Sequence, residues 1–170
     1  RVLNEIKKAL QSQTGINQLF YLSLVRQVGE SKISIGLEEF FRIIKASPPP
    51  ELLDSLESKF MLSKFYFTKD RPILIFKVAT FDSAFAGVMK WETTMAEDLK
   101  DIFSLDLSGA RSSFEDKEIQ NHDARVLNDK DGQLLLLYSF VGRDYLVVTI
   151  AEEPLKEIFR RLSSSQYLNK

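Results

Sequence analysis

The sequence predicts an α+β fold in which a mainly antiparallel sheet carries helices packed on one face. Three observations lead there. Over residues 71–103 a strand, RPILIFKVAT, runs directly into a helical stretch, FDSAFAGVMKWETTMAEDLKDIF. Residues 124–150 read as three short strands separated by tight turns, the texture of an antiparallel meander. Apolar residues at helical spacing open and close the chain. The final meander disfavours a strictly alternating, doubly wound arrangement.

Taken in order, Leu3, Ile6 and Leu10 lie on one face of a short amphipathic helix that Gly15 ends. Residues 16–28 contain LFYLSLV, an aromatic and branched run that reads as a single strand, turned by Gly29, Glu30 and Ser31. Ser34 is placed to cap a helix with Leu37, Phe40, Phe41 and Ile44 as its stripe. Pro48, Pro49 and Pro50 stop that helix and make a rigid corner, because proline removes a donor and pushes the preceding residue out of the α region. Pro50 then starts a helix through Leu52, Leu53 and Leu56.

Residues 60–67 and 72–80 predict an antiparallel pair closed by Thr68, Lys69, Asp70 and Arg71. Pro72 must start its strand or lie where no ladder donor is needed. Ile73, Leu74, Ile75 and Phe76 are apolar on both faces, as in an interior strand of a covered sheet. Asp82 or Ser83 caps the next helix, whose stripe is Phe85, Val88, Met89, Met95, Leu99, Ile102 and Phe103, while Ala84, Ala86 and Gly87 allow close approach to the sheet.

Residues 105–113 form a connection carrying Ser108, Gly109, Ser112 and Ser113. Beyond it come strands near 114–119 and 124–128, a hairpin turn at Asp131 and Gly132, strands over 133–141 and 145–150, and a helix opened by Pro154 with Leu155, Ile158, Phe159 and Leu162 on one face. The tail from Ser163 to Lys170 is expected to fray. The chain reads as a single domain, with sub-halves 1–104 and 114–162. A faint echo joins them: RPILIFKVATFDSAF and RDYLVVTIAEEPLKE align Arg71, Leu74 and Ala79 with Arg143, Leu146 and Ala151, raising a degenerate ββα duplication.

Composition narrows the function classes. With 170 residues, 44% apolar and 28% charged, the chain is long enough to build a real core. A formal net charge of -1 gives no field for nucleic acid, so no nucleic-acid partner is expected. The absence of cysteine removes disulfides, thiolate metal sites and cysteine nucleophiles. No run approaches the roughly 20 apolar residues that cross a bilayer. The first residue is Arg1 rather than Met. This fits a processed product, so membrane contact is expected only through a segment outside this sequence.

Two segments, KFMLSKFYFTKDRPILIFKVATFDSAFAGVMKWETTMAEDL and FEDKEIQNHDARVLNDKDGQLLLLYSFVGRDYLVVTIAEEPLKEIFRRL, resemble the soluble region of a family of uncharacterised proteins from candidate-phylum bacteria. That family has a single membrane span followed by an extracytoplasmic domain with similar FMLG, AFAGMLKWEKTM, NHDVRVL and LLYSF segments. Ser63 stands where the family pattern often has Gly. The resemblance implies an extracytoplasmic domain, membrane-anchored in the full-length protein, and carries no catalytic residues.

The candidate sites are correspondingly sparse. No GxxxxGK[ST], GxGxxG, GxSxG or HExxH pattern occurs, and no cofactor or metal is expected. Phe85, Met89, Trp91 and Met95 are candidates for an apolar pocket, with core packing the competing reading. His122 and Asp123 are the candidate polar site, but neighbours in an extended segment point to opposite faces, so a surface turn competes with a catalytic dyad. Glu92, Glu97, Asp98, Glu115, Asp116 and Glu118 supply carboxylates for glycoside hydrolysis only if the fold brings two together. Lys90 and Glu92 are expected at exposed positions. Asp129, Asp131 and Gly132 suit a hairpin turn better than a calcium loop, whose twelfth-position Glu is missing. The sequence therefore leads to a non-catalytic binding or scaffolding role with an unknown protein or envelope component as partner, docking along an exposed strand edge. The alternatives are an envelope hydrolase or a carrier of a small apolar ligand.

Overall fold

The structure, a computed structural model, describes residues 1–12 and 15–168, with side chains through residue 162. It has the α+β class that the sequence predicts. The elements are α1 (Val2–Gln11), β1 (Leu19–Leu22), β2 (Val25–Val28), β3 (Ser31–Ser34), α2 (Leu37–Ile43), α3 (Pro50–Asp54), β4 (Leu56–Tyr66), β5 (Asp70–Val78), α4 (Phe81–Trp91) and α5 (Met95–Phe103). They continue with β6 (Glu115–Ile119), β7 (His122–Asn128), β8 (Leu134–Val141), β9 (Tyr145–Thr149) and α6 (Glu152–Leu168).

Seven strands form one sheet in the order β1-β4-β5-β9-β8-β7-β6, every neighbouring pair antiparallel. After β5 the chain crosses through α4 and α5 to the far edge, then meanders inward until β9 closes against β5. That central pairing, Ile73 opposite Thr149 through Lys77 opposite Tyr145, joins the two sequence halves. Pro72 lies one residue beyond the last β9 partner, where its missing N–H is not needed, and its carbonyl accepts the Thr149 hydroxyl at 2.7 Å.

Period-two alternation divides the central strands between two apolar layers. Leu62, Leu74, Phe76, Leu146 and Val148 meet helices α1 to α5 on one face. Ile73, Ile75, Leu137 and Val147 face the other way, where Leu155, Ile158 and Phe159 of α6 cover them. The expectation of helices on a single face is corrected here for α6: strands apolar on both sides need a cover on both sides. The same fact limits the duplication. The units β4-β5-α4 and β8-β9-α6 are neighbours through an antiparallel pair, but their helices lie on opposite faces, so no two-fold axis through the sheet superposes them.

Other elements depart from the sequence reading. The strand expected over 16–28 is two: β1 edges the large sheet, while β2 pairs with β3 in a separate hairpin exposed along its whole length. Gly29 turns that hairpin at φ +60°. Ser34 belongs to β3, and Gly36 stands at the start of α2. Leu56 begins β4 rather than extending α3. The long helix breaks into α4 and α5, and neither Asp82 nor Ser83 caps it, the N-cap being Thr80 without a side-chain hydrogen bond. Backbone helix continues past Ser163 to Leu168; Asn169 and Lys170 lie outside the described residues.

Lys64 is fully buried and its ammonium donates to the carbonyl of Ala9 at 3.0 Å, to that of Ser12, and to the Ser12 hydroxyl at 2.9 Å. It thereby occupies the negative end of α1 and satisfies carbonyls that the helix leaves open. Gly87 permits a close approach to α3 rather than to the sheet: a Cβ there would stand 2.7 Å from both Cα and Cβ of Leu52. An alanine in a free helix would gain about 1 kcal/mol over glycine. Here the backbone clash dominates, and Gly87→Ala is expected to destabilise the fold by about 1–3 kcal/mol. Urea unfolding measures this directly, and a raised midpoint would show that α3 and α4 are not so closely packed.

Candidate functional site

Helix α4 carries two apolar rows. Ala84, Val88 and Trp91 enter the core with Gly87, and a second row, Phe81, Phe85 and Met89, follows at four-residue spacing beside it. The second row overhangs β8, β7 and β6 and forms one wall of a groove of about 770 Å³. Phe85 is 50% exposed and Met89 37%. Phe140 of β8 completes the wall, its ring 5.1 Å from that of Phe81 and 6.0 Å from that of Phe85. At the mouth, the Arg143 guanidinium sits 4.2 Å over the Phe81 ring.

The floor is ionic. Asp116, Arg125 and Tyr138 are register partners across β6, β7 and β8, so alternation sets all three on the groove face. Glu92, one residue past the end of α4, reaches down onto this row. Arg125 grips it with two bonds, Nε to Oε1 at 2.8 Å and Nη2 to Oε2 at 2.9 Å, and gives Nη1 to Asp116 at 2.9 Å. The Tyr138 hydroxyl donates to Glu92 Oε1 at 2.6 Å and lies 3.2 Å from the Met89 sulfur. Fork-shaped pairing of this kind is the strongest geometry for an arginine and a carboxylate. Hydrogen bonding to Glu92 raises the Arg125 guanidinium further above its ordinary range. Burial, reinforced by the Glu92 carboxylate, holds the Tyr138 phenol well above its own.

The predicted residues divide. Phe85 and Met89 line the groove, whereas Trp91 and Met95 are fully buried in the core. The Trp91 indole N–H donates to Asp98 at 2.7 Å, and its ring meets Phe41 edge-on at 5.7 Å. His122 and Asp123 both border the same groove, on opposite faces of β7 as the alternation requires. The His122 ring stacks on Phe159 of α6 at 3.8 Å, turned away from Asp123. Glu92 is not the exposed side chain that the sequence suggests, since its side chain retains 14% exposure against Arg125. Lys90 is exposed and pairs with Glu51 at 2.7 Å.

Three of the other carboxylates have structural partners: Asp98 also accepts the Ser47 N–H, Glu115 pairs with Arg111, and Glu97 with Lys100, whereas Glu118 stands exposed opposite Asp123. Asp129 folds its carboxylate onto the N–H groups of Asp131 and Gln133, making the hairpin turn with Gly132 at φ +82°. Among the described residues no three His, Cys, Asp or Glu side chains gather as a metal site. A second hollow of about 620 Å³ is bordered by Tyr21 and Leu22 of β1, the link from Ser34 to Gly36 and residues 58–61 of β4. Sequence reasoning missed Arg125, Tyr138 and Phe140. The one local signal was the surplus of apolar residues on α4, more than a single buried stripe can use.

No protein-family model matches the chain, and neither a curated protein nor a solved structure does.

Replacing Glu92 by Gln removes the charge that Arg125 clasps while keeping the shape. The half-buried guanidinium then keeps Asp116, a long contact to the Phe114 carbonyl and one neutral amide oxygen in place of the forked carboxylate, and a loss of about 2 kcal/mol is expected. Equal urea midpoints for Glu92→Gln and the parent protein would mean that the clasp contributes nothing net.

Proposed function

We propose that this chain is a non-catalytic binding domain whose recognition surface is the groove between α4 and strands β6, β7 and β8. The observation that carries the reading is the contrast between floor and wall. The floor's Glu92, Arg125 and Tyr138 are engaged with one another, while large apolar side chains beside them stand open to solvent. A general acid or base needs a free oxygen within reach of a substrate proton. Both Glu92 oxygens are instead held by Arg125. The hydrolase alternative asks for two carboxyl groups facing each other across a substrate; Glu92 and Asp116 are joined by a single arginine, and Glu118 and Asp123 stand side by side on neighbouring strands rather than on opposite walls.

Binding has a clearer physical basis. Covering an exposed Phe or Met side chain is worth about 1.5–3 kcal/mol when burial is complete. The rigid ionic floor fixes the wall's position at no cost to the ligand. A volume near 770 Å³ lies inside the span of about 300–1,000 Å³ usual for ligand sites. The strand edge remains a subsidiary place for a partner, and the charged sequence of β6, EDKEI, disfavours pairing with an apolar strand there.

The domain's setting in this reading is extracytoplasmic and membrane-anchored, supported by the resemblance of its two long segments. In intact spheroplasts, added protease should digest this domain of the natural full-length protein; complete protection would remove that setting.

The groove itself is testable with N-phenyl-1-naphthylamine, a neutral apolar dye. Its fluorescence should rise saturably with the folded protein and the rise should be largely lost in Phe85→Ser, with circular dichroism unchanged. Met61→Ser, at the second hollow, should leave it intact. Absence of saturable binding, or equal binding by Phe85→Ser, would overturn the assignment of this groove.

A further inference from the structure

The groove's unspent charge identifies what it holds, an inference that rests on the binding reading above. On the groove face of the β6-β7 hairpin, Glu118 and Asp123 are direct register partners. Like charges placed directly opposite each other across an antiparallel pair destabilise it. Both side chains are exposed, and among the described residues no cation pairs with either. Lys117, the residue before Glu118, points to the reverse face and pairs with Glu152 of α6. Arg125, the nearest arginine along β7, is already consumed by Glu92 and Asp116. The sheet side of an apolar groove is thus left with two uncompensated negative charges.

We propose that the groove receives a basic, apolar segment of a protein partner. Large apolar side chains of the segment pack on Phe85, Met89 and Phe140, and a Lys or Arg reaches the Glu118–Asp123 pair. The arrangement has a counterpart within the chain. At the mouth, Arg143 lies over the Phe81 ring while also approaching Asp82 at 3.6 Å, so an arginine is already held between an aromatic face and a carboxylate. A segment is favoured over a lone cation because the hollow is far larger than one ammonium or guanidinium group and its wall is apolar. A second copy of this chain is disfavoured by the same charges, since a symmetric contact would bring two acidic pairs together.

The experiment uses two fluorescein-labelled peptides, one alternating Lys or Arg with Leu or Phe, the other identical except for Glu at every basic position. Fluorescence anisotropy should show saturable binding of the basic peptide alone, weakening in 0.5 M salt as screened contacts do. The double variant Glu118→Gln, Asp123→Asn removes the charge and leaves the wall. It should bind the basic peptide about fivefold more weakly, the effect of losing one or two exposed ion pairs, while its dye binding is unchanged. Equal affinity for the two peptides, or no effect of the double variant, overturns the proposal. Displacement of the basic peptide by argininamide at similar concentration would assign the site to a small organic cation instead. Concentration-dependent dimerisation that blocks peptide binding would assign it to a second copy. Saturable dye binding without binding of either peptide leaves the groove as a binding site and removes this ligand class; loss of both removes the groove.

Discussion

The antiparallel contact between β5 and β9 is the constraint on which the rest of the molecule depends. Its two strands come from segments about 70 residues apart, and closing so long a loop carries an entropic cost that only a large apolar return offsets. The return comes from both sides at once: Leu74, Phe76, Leu146 and Val148 beneath five helices, Ile73, Ile75 and Val147 beneath α6. Because β9 lies beside β5, the whole meander β6 to β9 is carried to one end of the sheet, where its outer strands run under α4. The groove is a consequence of that topology. Had β6 paired with β5 directly, Arg125 and Glu92 would have no reason to meet.

Within the groove, the polar and apolar parts support each other. The clasp of Arg125 on Glu92 ties the last turn of α4 to the middle of β7, residues 33 apart in sequence. This fixes the height at which Phe85 and Met89 stand above the sheet. Tyr138 adds a third attachment from β8 and borders Met89. An ion pair of this kind need not add much net stability, since desolvation offsets most of the attraction. Its contribution is to position, giving an exposed apolar wall a defined shape in the absence of a ligand.

How much of this was legible in the sequence follows from the range of each signal. The class, the central strands and the hairpin turns are written in local code: Ile73 to Phe76 without a polar break, and Gly132 after Asp131 where the backbone needs φ above zero. Elements that bury little left no such trace. β2 and β3 are exposed throughout, so no periodic stripe distinguished two short strands from the end of one longer strand. The side on which α6 packs could not be read either, because an apolar helical face is the same whichever layer it covers. Of the site, Phe85, Met89, His122 and Asp123 were marked by residue type, but their convergence was not. Trp91 and Met95 carry the same apolar signature and went into the core, since what separates them from Phe85 and Met89 is a rotation about one helix axis and a break after residue 91.

Lys64 gives the amino-terminal helix an attachment of a different chemical kind from the surface ion pairs. Its ammonium ends on carbonyl oxygens and a hydroxyl, and among the described residues no carboxylate shares it. Backbone carbonyls do not titrate, so acid strong enough to neutralise Glu92, Asp116 and every other carboxylate leaves the acceptors of this contact intact. The buried site is also shielded from salt in a way that exposed charges are not. The seat of α1 on the sheet is therefore insulated from the ionic conditions that would loosen the groove at the other end of the molecule.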